Sequence, residues 1–183
     1  MAVVYENDYL NLIANERYSC RKYTDEQLTE TQLNTVLEAA RVSLSARNSQ
    51  PTRLCVIQSE EGLAKIDECT RCRFGAQTVI IVAYDKDVAC YATETHGPES
   101  GEYGPIDTTI AITNMDNAAA SMGLGTLWVG AYNPMKVREL FAIPENYSLS
   151  LLLMVGNRAD DAIPGPWHDQ RQEIEAFVSR ENF

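Results

Sequence analysis

The sequence predicts a layered α/β core, and three observations carry that prediction. Segments with helical apolar spacing alternate with short apolar runs of strand length, the pattern of helices packed on a sheet. Thr78 to Tyr84 is a β-branched run, TVIIVAY, with no polar face, which fits only a strand buried on both sides. The chain has 183 residues, 45% of them hydrophobic, so residues 1–183 are expected to bury one core as a single domain.

The elements follow in order. Tyr9 to Glu16 carries Leu10, Ile13 and Ala14 at helical spacing and delivers Arg17 at its end. Thr29-Glu30-Thr31-Gln32 reads as a capping box, after which Leu33, Val36, Leu37 and Ala40 form one helical face. Ser43 to Pro51, rich in Ser, Asn and Gln, predicts a structured loop. Leu54 to Gln58 has strand length, and Glu60 to Glu68 reads as a polar helix. Residues 85–105 are too long for an ordinary connection and predict a lid, with Tyr91, His96 and Tyr103 as candidate pocket residues. Ile106 to Met122 is helical, with Ala111, Met115, Ala118 and Met122 on one apolar face. Gly123-Leu124-Gly125 caps that helix and opens a strand, Thr126 to Val129. Asn133-Pro134 starts a short helix, and Leu149 to Val155 is the last core strand. Residues 172–183 form a terminal arm in which Ile174, Phe177 and Val178 make an apolar stripe.

A net charge of −11 argues against nucleic acid or an anionic membrane as partner, because either meets long-range repulsion. With neither a secretion signal nor a membrane-length apolar window, the expected location is the cytoplasm. The five cysteines, odd in number, are expected to be reduced thiols. Cys69-Thr70-Arg71-Cys72 is a C-x-x-C, but a zinc site needs a second ligand pair, and His96 and His168 are remote in sequence; no metal is expected. Dithiol chemistry at that pair stays open as a minor alternative.

Against this acidic background, Arg17-Tyr18-Ser19-Cys20-Arg21-Lys22-Tyr23 packs three of the 15 basic residues into seven positions. Guanidinium forks at Arg17 and Arg21 and a hydroxyl at Ser19 suit phosphate or a carbonyl and ring-nitrogen edge. Cations at a helix end also complement its dipole, which is the plain structural alternative. Three later stretches favour the ligand: Ser43-Leu44-Ser45-Ala46-Arg47-Asn48-Ser49-Gln50-Pro51, Gly123-Leu124-Gly125-Thr126-Leu127-Trp128-Val129-Gly130-Ala131, and Pro164-Gly165-Pro166-Trp167-His168-Asp169-Gln170-Arg171. Together, and in this order, the four stretches resemble the flavin-dependent nitroreductase family, in particular its shorter members.

The resemblance implies an α+β fold, an α-β-α layered sandwich with a mixed, mainly antiparallel sheet flanked by helices. It implies bound FMN, hydride taken from NADH or NADPH, and a small electron-poor acceptor such as a nitroaromatic or a quinone. It also implies a homodimer in which the loop containing Leu44, Ser45, Asn48 and Gln50 reaches the flavin of the other subunit. Arg17 and Arg171 then grip the phosphate, Tyr18 and Ser19 belong to the same cofactor-binding segment, Arg21 faces the ring edge, and Trp128, Val129 and Gly130 lie along one flavin face. The Gly130 amide is the expected partner of flavin N5, His168 a supporting group, and no side chain is required as acid or base. Leu44 and Thr52 stand where the family has Pro and an aromatic residue. A flavin-binding sensor or store that does not turn over is the alternative from another class.

Overall fold

The computed structural model describes residues 4–91 and 101–183. Helix α1 (Asp8–Asn11) is capped by the Asn7 side chain, which accepts from Leu10 N, and it continues as a π-turn over Leu12–Glu16. Arg17 ends it in an extended conformation, φ −83 and ψ 121, so the basic segment leaves the helix as a strand-like stretch. Helix α2 (Glu30–Arg41) begins at the capping box read from the sequence, with Thr29 and Gln32 satisfying each other's backbone donors.

The sheet has four strands, β1 (Thr52–Ile57), β2 (Thr78–Asp85), β3 (Leu124–Val129) and β4 (Tyr147–Asn157), in the spatial order β1-β2-β4-β3. Every neighbouring pair is antiparallel. Outside β3, residue 19 pairs with Thr126 in a parallel bridge, and Cys20 N donates to Thr126 O at 2.8 Å. That one parallel contact makes the sheet mixed and lays the basic segment along the β3 edge.

β2 is buried on both faces along its whole length, which is what the unbroken β-branched run requires, and β4 is buried from Leu152 to Gly156. Alternate residues feed different layers. Val79 and Ile81 of β2, with Leu152 and Met154 of β4, pack on helices α3 (Glu60–Cys69) and α5 (Pro134–Leu140) through Leu63, Ile66 and Val137. Ile80 and Val82, with Leu153 and Val155, pack on α2 and on α4 (Gly104–Ser121) through Val36, Ile112, Met115 and Ala119. The α-β-α sandwich therefore follows from strand periodicity on a sheet covered by helices on both faces of its central strands.

Helix α4 differs from its apolar pattern in one informative way. Ala111 and Met115 are buried as expected and Ala118 and Met122 are half-buried, but the buried face also contains Asp107, Thr108 and Asp116. Counting apolar residues assigns an aspartate outward, whereas donors from neighbouring elements hold these carboxylates inside. At the long connection, Tyr91 bridges Glu102, and Tyr103 N donates to Cys90 O at 3.0 Å; His96 lies outside the described residues. In the terminal arm, a single turn at Ile174–Ala176 leaves Ile174, Phe177 and Val178 exposed. Among the described residues, no helix is long and apolar enough to cross a membrane.

Candidate functional site

The extended conformation of residues 17–21 sorts their side chains by parity. Tyr18 and Cys20 point inward and are buried, while Arg17, Ser19 and Arg21 share the outer face. Gly125 makes this packing possible: a Cβ there would stand 2.6 Å from Cys20 Sγ and 2.8 Å from Cys20 Cβ. Beneath the segment, Arg158 stacks over the Tyr18 ring at 4.6 Å and donates to Leu124 O at 3.0 Å and to Glu16 O at 2.8 Å. It ties the end of the π-turn to β3. The sequence reading missed Arg158, which carries no motif and follows an ordinary strand end.

Arg17, Tyr18, Ser19 and Arg21 line a cavity of ≈ 240 Å³ whose other wall is Gly165, Trp167, His168 and Arg171. The sequence-predicted phosphate residues are thus brought together from segments about 150 positions apart. Tyr18 forms the cavity's inner wall, its hydroxyl donating to Ala162 O at 3.2 Å and its ring meeting the His168 ring edge-on at 6.1 Å. Burial raises the Tyr18 hydroxyl above its ordinary pKa, so it stays a neutral donor. Arg21 and Arg171 are exposed, and among the described residues neither forms an ion pair; their hydrogen bonds go to the Ser19 and Gln170 carbonyls.

A second cavity of ≈ 470 Å³ adjoins the first through Arg17 and Ser19 and is also lined by Tyr9, Ile13, Thr113, Asp116, Asn117 and Trp128. Trp128 is therefore placed beside the cation cluster, whereas Val129 is buried in the α3/α5 core and offers the site only its backbone. Gly130 is exposed, and a Cβ built on it would meet nothing within 4 Å. The chain's own packing does not demand a glycine there, so any close approach it permits comes from outside the chain.

Asp116 is 5% exposed, accepts from the Thr126 hydroxyl and lines the second cavity beside the Trp128 side chain. Its Oδ2 lies 3.9 Å from Arg17 Nη1. Burial raises its carboxyl above the usual range, opposed by the Thr126 hydrogen bond and by the Arg17 charge.

Within one chain the loop 43–51 does not join this site. Leu44, Ser45 and Gln50 line a separate cavity of ≈ 220 Å³ with Arg41, Ser43, Thr52, Arg53 and Asp107, and exposed Asn48 lies next to it in the loop. Arg47, Asn48 and Gln50 adopt φ of 52°, 55° and 50°. Such strain persists only where the surroundings impose it. Here Asp107 Oδ1 accepts from Ala46 N at 2.9 Å, Ser45 Oγ accepts from Gln50 N at 2.9 Å, and Asn114 Nδ2 donates to Ser43 Oγ at 2.7 Å. The loop is a fixed shape presented outward.

A family model described as Nitroreductase family matches residues 14–74 and 71–157, a span that holds the basic segment, the loop and the β3 run. The chain belongs to the nitroreductase family. A relative in Bacillus subtilis (strain 168), named as an NAD(P)H FMN reductase, is 30% identical over 174 residues, covering 87% of this chain and 70% of that protein. The solved structure of a nitroreductase family protein from Clostridium difficile 630 superposes with a TM-score of 0.86 at 31% identity, covering 97% of this chain and 100% of the other. A structure from Desulfovibrio desulfuricans solved in complex with FMN gives a TM-score of 0.78 at 25% identity, over 98% and 99% of the two chains. The nitroreductase fold implied by the resemblance is therefore the fold observed.

The C-x-x-C pair sits elsewhere, at the end of α3. Cys69 is buried, its thiol donates to Lys65 O at 3.2 Å, and burial raises its pKa, the reverse of an activated thiol.

Proposed function

We infer that the cavity lined by Arg17, Ser19, Arg21 and Arg171 grips FMN and that the chain is an FMN-dependent NAD(P)H oxidoreductase. The observation that carries this reading is the convergence of three guanidinium groups on one cavity in a chain of net charge −11, two of them without an ion-pair partner among the described residues. Unpaired cations gathered on a concave surface create a site for a compact anion. The donor set fits a phosphate monoester: the Arg17 and Arg171 guanidinium groups and the Ser19 hydroxyl line the same cavity. The FMN named in the Bacillus subtilis relative and bound in the Desulfovibrio desulfuricans structure supports the same choice.

Bound FMN supplies hydride acceptance from NADH or NADPH and electron delivery to the acceptor. The chain supplies position and charge. Arg21, exposed and unpaired among the described residues, brings a positive charge to the ring edge where negative charge builds on reduction. Exposed Trp128 and the open backbone at Gly130 provide a face against which a flat ring can lie. No side chain serves as acid or base.

The acceptor is a small electron-poor compound, a nitroaromatic or a quinone. The working unit is a homodimer in the cytoplasm. Support for the dimer comes from apolar groups left uncovered on this chain, Tyr9, Leu10, Ile106 and the arm residues Ile174 and Phe177, together with the outward-facing loop at 43–51. Five free thiols accord with a reducing compartment.

Steady-state oxidation of NADH and NADPH by FMN-loaded protein, with a quinone and a nitroaromatic as acceptors, tests the reading. Turnover is expected. A yellow protein that oxidises neither nucleotide is instead a flavin store or sensor, and a colourless protein that FMN does not reconstitute removes the reading altogether.

A further inference from the structure

Asp116 is a buried carboxylate that the flavin chemistry does not use, yet it lines the second cavity and stands 3.9 Å from Arg17, which lines both. It projects from the C-terminal half of α4 and is approached from two other elements: β3, where the Thr126 hydroxyl donates to it and the Trp128 side chain lies nearby, and Arg17 from the segment after the π-turn. The charged and titratable groups that face it are Arg17, Arg158 and the Tyr23 hydroxyl. The Arg17 contact is the informative one. At 3.9 Å it lies beyond hydrogen-bond reach, so the guanidinium is drawn toward the carboxylate while its N–H donors stay available to a ligand. The Arg17 side chain is 28% exposed and lines both cavities.

We propose that Asp116 is the positioning residue of this site: a fixed counter-charge that orients Arg17 and Trp128 and limits how tightly the cavity holds a phosphate. The inference rests on the FMN reading above and deepens it. Two anions, the carboxylate and an incoming phosphate, share one guanidinium, and their like charges oppose each other across it. The carboxylate thereby trades affinity for orientation. It also makes that affinity depend on pH: protonated Asp116 keeps an oxygen for the Thr126 hydroxyl but ceases to repel the phosphate.

The test is a titration of apo-protein with FMN, followed by flavin fluorescence quenching at fixed ionic strength from mildly acidic to mildly alkaline pH. Asp116→Asn keeps an acceptor for Thr126 and a polar group beside Trp128 and removes the charge. It should bind FMN about twofold to fivefold more tightly than the parent at alkaline pH, the range for one partly screened charge pair. The ratio should shrink toward one as the pH falls and the parent's carboxyl takes up its proton; titration of the FMN phosphate itself affects both proteins and cancels. Equal or weaker binding by Asp116→Asn overturns the proposal.

Asp116→Leu removes the acceptor as well. In a Trp167→Phe background, where Trp128 is the remaining indole, it should alter Trp128 fluorescence, while Asp116→Asn leaves that emission near the parent's. Identical emission from both variants refutes the orienting role. If neither variant folds, the Trp167→Phe protein alone decides, because its apo Trp128 emission should titrate with one pKa above the ordinary Asp value, and a flat profile refutes the proposal. Failure of the parent to bind FMN at any pH would instead remove the FMN reading, which these fluorescence titrations of apo-protein do not need.

Discussion

Arg17→Ala separates the two roles proposed for one guanidinium, and each has an expected size. A charge-assisted contact to phosphate is worth about 1.5–3 kcal/mol, so FMN affinity should fall about tenfold to a hundredfold. The second effect needs no ligand. Breaking a fully buried ion pair costs about 3–5 kcal/mol, but Arg17 is 28% exposed and stands 3.9 Å from the carboxylate. The loss in the apo-protein should therefore be only about 1–2 kcal/mol, or a drop of about 2–8 °C in Tm for a domain of this size. Its pH dependence has a definite sign. Asp116 already has a raised pKa, so the native state holds its proton more strongly than the unfolded state, and stability falls as pH rises from the ordinary Asp value through the raised one. Removing Arg17 takes away a cation that lowers that pKa, which widens the window. The deficit should thus be largest at neutral pH and should close at acidic pH. Arg171→Ala is the control: it should lose FMN affinity to a similar degree and leave apo Tm unchanged, because among the described residues Arg171 has no ion pair. Equal melting temperatures for the two variants at every pH would refute the reasoning.

Three further outcomes follow from the same geometry. Gly125→Ala forces a Cβ to 2.6 Å from Cys20 Sγ and should cost about 1–3 kcal/mol in urea or thermal melts, with partial recovery in Gly125→Ala/Cys20→Gly; unchanged stability would mean that the 17–21 segment does not pack on β3 as described. Gly130→Ala meets nothing within the chain, so apo stability should stay within about 0.5 kcal/mol of the parent while FMN affinity falls; retained affinity would deny that a ligand approaches this backbone. Arg21→Ala, saturated with FMN, should show a lower flavin reduction potential by dye equilibration, and a potential equal to the parent's would remove Arg21 from the ring edge.

Much of the architecture was legible because it rests on local rules that strong sequence signals obey. Thr78 to Tyr84 has no polar face and became the doubly covered β2; Thr29 and Gln32 form the capping box they spell; Gly123 takes φ of 75° where α4 must end. That Arg17, Ser19, Arg21 and Arg171 would share one cavity was legible because a run of cations is conspicuous in an acidic chain. Asp116 and Arg158 were not, since their roles exist only through partners distant in sequence: Thr126, Trp128 and Arg17 for one, the Tyr18 ring and the Glu16 carbonyl for the other. Val129 shows a different limit. It sits within a run that borders the site, but strand alternation turns its side chain into the α3/α5 core, so only its neighbours Trp128 and Gly130 present anything outward. The loop at 43–51 was readable as structured, but not as a strained shape held by Asp107, because φ at Arg47, Asn48 and Gln50 is imposed by tertiary contacts.

The central claim is that this arginine-lined cavity grips a flavin by its phosphate, and a comparison of FMN with riboflavin tests it most directly. The two ligands share the ring and the ribityl chain and differ only in the phosphate that Arg17, Ser19 and Arg171 are proposed to hold. With at least two charge-assisted contacts at about 1.5–3 kcal/mol each, FMN should bind more tightly by about a hundredfold or more, and the advantage should narrow as salt rises. Equal affinities for the two flavins, insensitive to salt, would contradict the account.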